Sequence, residues 1–204
     1  MPMKPLIESK TRLGGHLSDN ERVELSAAML KSVLAALRDS KVSATMVVGG
    51  DQRVQTIASD SGARWKPDQF MDLNLTVSQE FECVWRSGHI AAYLPGDLPL
   101  ITVSDVDDMI EFAAGAQAVT ICPAYDGGTN GLVVPWSRGF SPQLGHRSYA
   151  AHRELAAQLG IEAREFWSPR FELDVDTIED LCRCLDRSPS HMQSLMKAGG
   201  VFYR

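Results

Sequence analysis

Apolar positions along the chain change period as they go, and each change marks an element. Leu25, Met29, Val33 and Leu37 recur every four residues behind Ser18-Asp19-Asn20-Glu21, a capping box, which predicts a helix with one face on a core. Thr45-Met46-Val47-Val48 is an unbroken apolar run closed by Gly49-Gly50, the signature of a buried strand. Residues 52–61 then read as a helix halted by Gly62, and residues 75–86 as another that stops near Gly88. Residues 89–94 predict a strand running into Pro95-Gly96-Asp97, and Ser104 with Asp107 is expected to cap a helix ending at Gly115.

Residues 118–122 predict a short strand, 126–131 a glycine-rich loop, and 132–134 a further strand. A helix over 148–159 closes at Gly160, and Thr177-Ile178-Glu179-Asp180 caps a helix that follows Leu173-Asp174-Val175-Asp176. Residues 188–198 read as a peripheral helix, and residues 1–6 as an opening strand followed by a basic loop. Strands alternating with amphipathic helices predict an α/β fold, a sheet flanked by helices.

Composition narrows this picture. A chain of 204 residues with 44% apolar content suits one domain over residues 1–204, without internal repeat or low-complexity segment. Acidic residues outnumber basic ones, 26 to 20, so no overall positive field draws nucleic acid or anionic lipid, and any phosphate site must be local. No apolar run approaches the roughly 20 residues of a membrane span, and no signal-like segment opens the chain, so a cytoplasmic protein is expected. Cys83, Cys122, Cys182 and Cys184 are dispersed without a C-x-x-C pair, which favours reduced structural thiols over zinc.

Ligands of open α/β sheets gather at the carboxyl ends of strands, and several unusual loops fall there. Lys4, Lys10 and Arg12 cluster after the opening strand, where they could neutralise phosphate oxygens or simply decorate a solvated loop. Asp97 follows a strand and reads either as a metal ligand or as a turn former. Asp174 and Asp176 form a second carboxylate pair. Only one of them is expected to reach a metal shared with Asp97, and Asp176 is favoured, although it also fits an N-cap for the helix at Thr177. Two aspartates from separate strand ends suffice for Mg2+, which takes oxygen ligands and completes its shell with phosphates and water.

Gly127-Gly128-Thr129-Asn130-Gly131 offers close backbone approach and a hydroxyl, or a plain turn. Gly145-His146-Arg147-Ser148 precedes a helix whose N–H groups could bind an anion, with Ser148 as an ordinary N-cap and His152 as a packed or surface histidine on the other reading. Walker, G-x-G-x-x-G, G-x-S-x-G and H-E-x-x-H motifs are absent from the sequence, which counts against P-loop kinases, dinucleotide folds, α/β hydrolases and zincins.

In this order, Lys4-Pro5-Leu6 to Lys10-Thr11-Arg12-Leu13, Gly96-Asp97-Leu98-Pro99, Gly127 to Asn130, Gly145 to Ser148 with His152, and Asp174-Val175-Asp176-Thr177 resemble the phospholactate and phosphoenolpyruvate guanylyltransferases of coenzyme F-420 biosynthesis. The resemblance covers nearly the whole chain. It implies a three-layer, Rossmann-like nucleotidyltransferase fold with a mostly parallel mixed sheet, related to the molybdopterin guanylyltransferases. It further implies transfer of GMP from GTP to the phosphate of phosphoenolpyruvate, 2-phospho-L-lactate or 3-phospho-D-glycerate. By the same resemblance Asp97, Asp174 and Asp176 take magnesium, and Lys4, Lys10 and Arg12 lie by the nucleotide phosphates. Thr129, Gly145 and Ser148 bind the acid, and Asp72, Asn74 and Gly96 lie near the nucleotide. Cytidylyl transfer, molybdopterin-type guanylyl transfer and a non-catalytic nucleotide-binding module stay open as alternatives, as does a homodimer. In the family the first strand extends further upstream of the lysine matching Lys4, so either the true start lies upstream or the opening strand is short here.

Overall fold

The computed structural model describes residues 1–201, and the domain expected over 1–204 extends beyond them. Strand β1 (Pro2–Met3) is short, and two 3-10 turns, Leu6–Glu8 and Thr11–Leu13, follow it where a plain basic loop was expected. Helix α1 (Asp19–Arg38) carries the predicted capping box, Ser18 with Glu21, and buries Leu25, Met29, Val33 and Leu37. Then come β2 (Met46–Gly49), α2 (Gln52–Asp60), β3 (Arg64–Lys66), α3 (Leu73–Arg86) and β4 (Ala91–Tyr93). The second half contains α4 (Val103–Ala113), β5 (Ala118–Pro123), β6 (Thr129–Val134), α5 (Ser148–Gln158), β7 (Glu162–Glu165), α6 (Ile178–Arg187) and α7 (Pro189–Ala198).

The strands form two hydrogen-bonded sheets rather than one continuous sheet. One is parallel, in the order β1-β2-β3, and the other runs β4-β6-β5-β7, with β6 antiparallel to both neighbours and β7 parallel to β5. They approach each other where Gly96 meets β1: a Cβ there would stand 2.6 Å from Met3 Sδ and 3.2 Å from Leu30 Cδ1, so a larger residue would have to push these side chains aside.

Alternation along the strands separates two cores. Cys122 and Val133 face the apolar cluster of α1, α2 and α4, while Val119, Ile121, Leu132 and Val134 face Val77 and Phe81 of α3 and Ala156 of α5. A third cluster, with Leu25, Leu173, Val175, Leu181 and Met192, seats α6 and α7 against α1. The result is the α/β architecture read from the sequence, with helices on both faces of the strands.

Three local expectations are corrected. Helix α4 is capped two residues earlier than expected, by Thr102, with Asp105 reaching back to the Thr102 N–H and hydroxyl; Ser104 and Asp107 lie beyond it. Helix α3 starts at Leu73 because Asp72 accepts from the Leu75 N–H and supplies the cap. Thr129, Asn130 and Gly131 belong to β6, not to a loop: Gly131 sits in the sheet because Cys122 and Phe171 leave no room there for a side chain. Strands β3 and β7 had no apolar signal, being short segments with the charged compositions Arg-Trp-Lys and Glu-Ala-Arg-Glu at sheet edges.

Candidate functional site

Three segments meet beyond the ends of the strands. Asp97 lies four residues past β4, in Leu94-Pro95-Gly96-Asp97. Its carbonyl accepts from the Val175 N–H at 3.3 Å, which locks this loop against the extended segment carrying Asp174 and Asp176. That segment is itself moored: Ser168 Oγ donates to Asp105 Oδ1 at 2.9 Å, Arg170 pairs with Asp105, and Arg187 donates to the Pro169 carbonyl at 2.7 Å. Asp105 thus completes the capping box of α4 and anchors the chain leading to the second carboxylate pair.

One ligand oxygen from each of Asp97, Asp174 and Asp176 falls within 4.8 Å of the others. The expectation that only one of Asp174 and Asp176 could join Asp97 is therefore corrected: residues i and i+2 of an extended chain share a face, so both point into the cluster. Asp176 is released for this role because Thr177, with Asp180, caps α6.

The cation among these acids is Lys10. Its Nζ donates to Asp97 Oδ2 and, at 2.8 Å, to Asp176 Oδ1, with the side chain almost wholly buried. Lys10 takes the left-handed conformation, φ 54° and ψ 37°, which a side chain adopts at a cost of about 1 kcal/mol. Buried Arg22 supports the turn by donating to the Ser9 carbonyl at 2.7 Å while pairing with Asp19. Arg12 extends into solvent and approaches Asp176 Oδ2 at 3.5 Å. Lys4 is exposed, and its charge also reaches Asp176.

Electrostatics differ across the three acids. Burial, reinforced by the Asp97 charge, pushes the Asp174 carboxyl up to about 6, although Asn130 and Lys10 pull it back. Asp176 is also burdened by burial, but Lys10, Arg12 and Lys4 outweigh it and hold the carboxyl below its ordinary value. For Lys10 the burial penalty is overcome by Asp97 and Asp176, which raise its pKa and keep the ammonium charged. Asp97 Oδ1 is buried and has no hydrogen-bond partner among the described residues. A buried anionic oxygen without a donor, in a set made only of carboxylates, fits a hard divalent cation such as Mg2+.

A second constellation stands at the start of α5. Ser148 Oγ donates to Thr129 Oγ1 at 3.0 Å, and His152 Nδ1 lies 3.0 Å from the same hydroxyl; all three residues are buried. Gly145 holds φ 123°, and a Cβ there would meet open space. The Tyr149 N–H donates to the Gly127 carbonyl, tying α5 to the turn before β6. Asn130, next to Thr129, donates through Nδ2 to the Phe171 carbonyl at 2.9 Å and to Asp174 Oδ1 at 3.0 Å. Strand β6 therefore serves both clusters, Asn130 toward the carboxylates and Thr129 toward α5.

Asp72 and Asn74 lie at the N-terminus of α3. Asp72 caps that helix, while Asn74 accepts from the Leu144 N–H at 2.6 Å and donates to the Leu144 carbonyl at 3.2 Å, fixing the approach to Gly145. Sequence reasoning singled out neither Asn130 nor Asp105 as a site residue. Asn130 was legible only as part of Gly-Gly-Thr-Asn-Gly, and Asp105 only as a helix acid.

Residues 1–192 match the family model described as "Guanylyl transferase CofC like". The chain belongs to this family of guanylyl transferases. It is 37% identical over 191 residues to a phosphoenolpyruvate guanylyltransferase of Roseiflexus castenholzii, covering 94% of this chain and 88% of that one. A 2-phospho-L-lactate guanylyltransferase of Methanothermobacter thermautotrophicus is 32% identical over 182 residues, 89% of this chain and 80% of that one. Among solved structures, a Desulfovibrio desulfuricans protein assigned as a nucleotide-diphospho-sugar transferase superposes with TM-score 0.75 at 17% identity, over 96% of this chain and 91% of that one. At that identity the likeness establishes the nucleotidyltransferase fold alone. The family and fold agree with the resemblance carried by the sequence motifs. No helix among the described residues is long and apolar enough to cross a membrane.

Proposed function

We propose that this chain transfers GMP from GTP to the phosphate of a small phosphorylated acid (phosphoenolpyruvate, 2-phospho-L-lactate or 3-phospho-D-glycerate), releasing pyrophosphate, and that it serves coenzyme F-420 biosynthesis. The observation that carries this reading is the junction of Asp97, Asp174 and Asp176 with Lys10, with Asp97 Oδ1 left without a donor among the described residues. The named activities of the relatives support the substrate class.

Asp97, Asp174 and Asp176 would hold Mg2+, which when bound supplies positive charge to the phosphates. Lys10, Lys4 and Arg12 bring three further cationic side chains to the same edge, where they offset the charge of the triphosphate and of the leaving pyrophosphate. Thr129, Gly145 and Ser148 receive the acid at the mouth of α5, while Asp72, Asn74 and Gly96 shape the nucleotide side. In the reaction an oxygen of the acid's phosphate forms the new bond to the α-phosphorus of GTP, and the bond to the α–β bridging oxygen breaks, its electrons leaving with pyrophosphate. A phosphate monoester has its second pKa near 6, so the nucleophile is mostly ionised at neutral pH and no side chain need act as general base. What the chain supplies is alignment and charge compensation.

The deciding experiment is pyrophosphate release from GTP with each of the three acids, for the wild type and for Asp97→Asn. We expect release with at least one acid, and its loss in a folded Asp97→Asn. Binding of GTP without release would make the chain a nucleotide-binding module, and a preference for CTP would make it a cytidylyltransferase.

A further inference from the structure

His152 is held from both sides of its ring. The Gln143 backbone N–H donates to Nε2 at 2.8 Å, and an amide N–H can only donate, so Nε2 carries no proton. In a neutral imidazole the proton then sits on Nδ1, facing Thr129 Oγ1 at 3.0 Å. Burial favours this neutral state by pushing the pKa down to about 4, and a protonated ring would turn an N–H against that of Gln143. Phe140 lies alongside, with ring centroids 5.9 Å apart and planes 31° from parallel, and fixes the ring plane.

The tautomer sets the proton inventory of the two hydroxyls. Thr129 Oγ1 accepts from His152 Nδ1 and from Ser148 Oγ, which occupies both of its lone pairs, and its own O–H proton is left without an acceptor among the described residues. If the hydroxyls exchange roles, the free proton moves to Ser148, so one O–H proton stays available in either case. With the opposite tautomer the ring nitrogen would accept that proton instead, and the pair would lose its free donor.

We propose that His152 is a positioning residue of the acceptor subsite: its fixed Nδ1–H makes the Thr129–Ser148 pair a hydrogen-bond donor to an anionic oxygen of the phosphorylated acid. This rests on the reading above that the acid binds at Thr129, Gly145 and Ser148. His152 itself touches no substrate.

Two substitutions separate the roles of the ring nitrogens. In His152→Asn the amide nitrogen can stand near the position of Nδ1 and still donate to Thr129. In His152→Gln the side-chain oxygen can reach the position of Nε2 and accept from Gln143, but the donor to Thr129 is lost. His152→Gln is expected to raise KM for the acid roughly tenfold or more, as loss of a hydrogen bond to a charged group does, with KM for GTP changed less than twofold. His152→Asn should recover most of that loss. Equal effects of the two variants, or a parallel rise in both KM values, would overturn the proposal. Should the His152 variants fail to fold, Thr129→Val removes the hydroxyl at nearly constant volume and is expected to reproduce the rise; an unchanged KM would count against it. Long-range 1H–15N correlations of the wild type give a reading independent of turnover, with Nδ1 protonated as expected and Nε2 protonated as the contrary result. A wild type that guanylylates no acid refutes the proposed function, while those spectra still decide the tautomer.

Discussion

Lys10 donates to Asp176 at 2.8 Å across 166 positions of chain, and the same ammonium reaches Asp97. One buried cation thus pairs with two of the three clustered carboxylates, which come from two segments. Lys10→Met keeps most of the side-chain volume and leaves the acids facing one another. The variant is expected to lose about 2 kcal/mol in EDTA, below the usual cost of breaking a fully buried pair because Asp176 is partly solvated. Magnesium should restore more stability to the variant than to the wild type, since the bare acids bind it without competition from Lys10. Urea titrations with and without Mg2+ measure both effects, and equal stability of the two proteins in EDTA would contradict the ion-pair argument.

Asn130 acts on the same cluster from β6. Its amide donates to Asp174 at 3.0 Å while held by the Phe171 carbonyl, so it orients a carboxylate without occupying the cation site. Residues that orient a metal ligand are typically worth 10–100-fold in affinity. Asn130→Ala is therefore expected to weaken Mn2+ binding by roughly tenfold, followed by electron paramagnetic resonance of free Mn2+, with the far-UV spectrum unchanged. Unaltered Mn2+ affinity would show that Asp174 needs no such support.

The elements with long periodic patterns were legible in the sequence because a stripe such as Leu25, Met29, Val33 and Leu37 satisfies one geometry and no other. Edge strands β3 and β7 were not, since they are short, charged and stabilised by backbone pairing to β2 and β5. The acids of the site were visible as residues and their meeting was not. It depends on the Val175–Asp97 backbone bond and on the anchoring of Ser168 and Arg170 to Asp105, contacts that no local pattern encodes. The Thr177–Asp180 cap was legible and leaves Asp176 free, whereas the joint approach of Asp174 and Asp176 to Asp97 ran against the expectation that only one of them could reach it.

Gly131 tests how tightly β6 is seated. An added Cβ would lie 2.7 Å from Cys122 Sγ and 3.2 Å from Phe171 Cε1, inside normal contact with two buried neighbours. Gly131→Ala is expected to destabilise by about 1–3 kcal/mol, the usual range for overpacking. Cys122→Ala removes the nearest atom, so the double variant should be more stable than the sum of the single effects predicts. Additive losses in chemical denaturation would place the strain elsewhere.

His152 gives the fold a defined acid sensitivity. Its pKa is held at about 4 by burial, against 6.5 for the free side chain. Between those values the unfolded chain binds more protons than the folded one, so stability rises with pH there. The contribution is complete above about pH 6.5 and is lost as the pH falls toward 4, and it amounts to something on the order of 3 kcal/mol. His152→Asn has no titrating ring, so the stability of the wild type relative to this variant should decline steadily from pH 7 to 4 while other carboxylates cancel in the difference. Urea denaturation at intervals across that range measures it. A difference that stayed constant with pH would mean that the ring takes up its proton in the folded state, against the donation from Gln143 that fixes Nε2 as an acceptor.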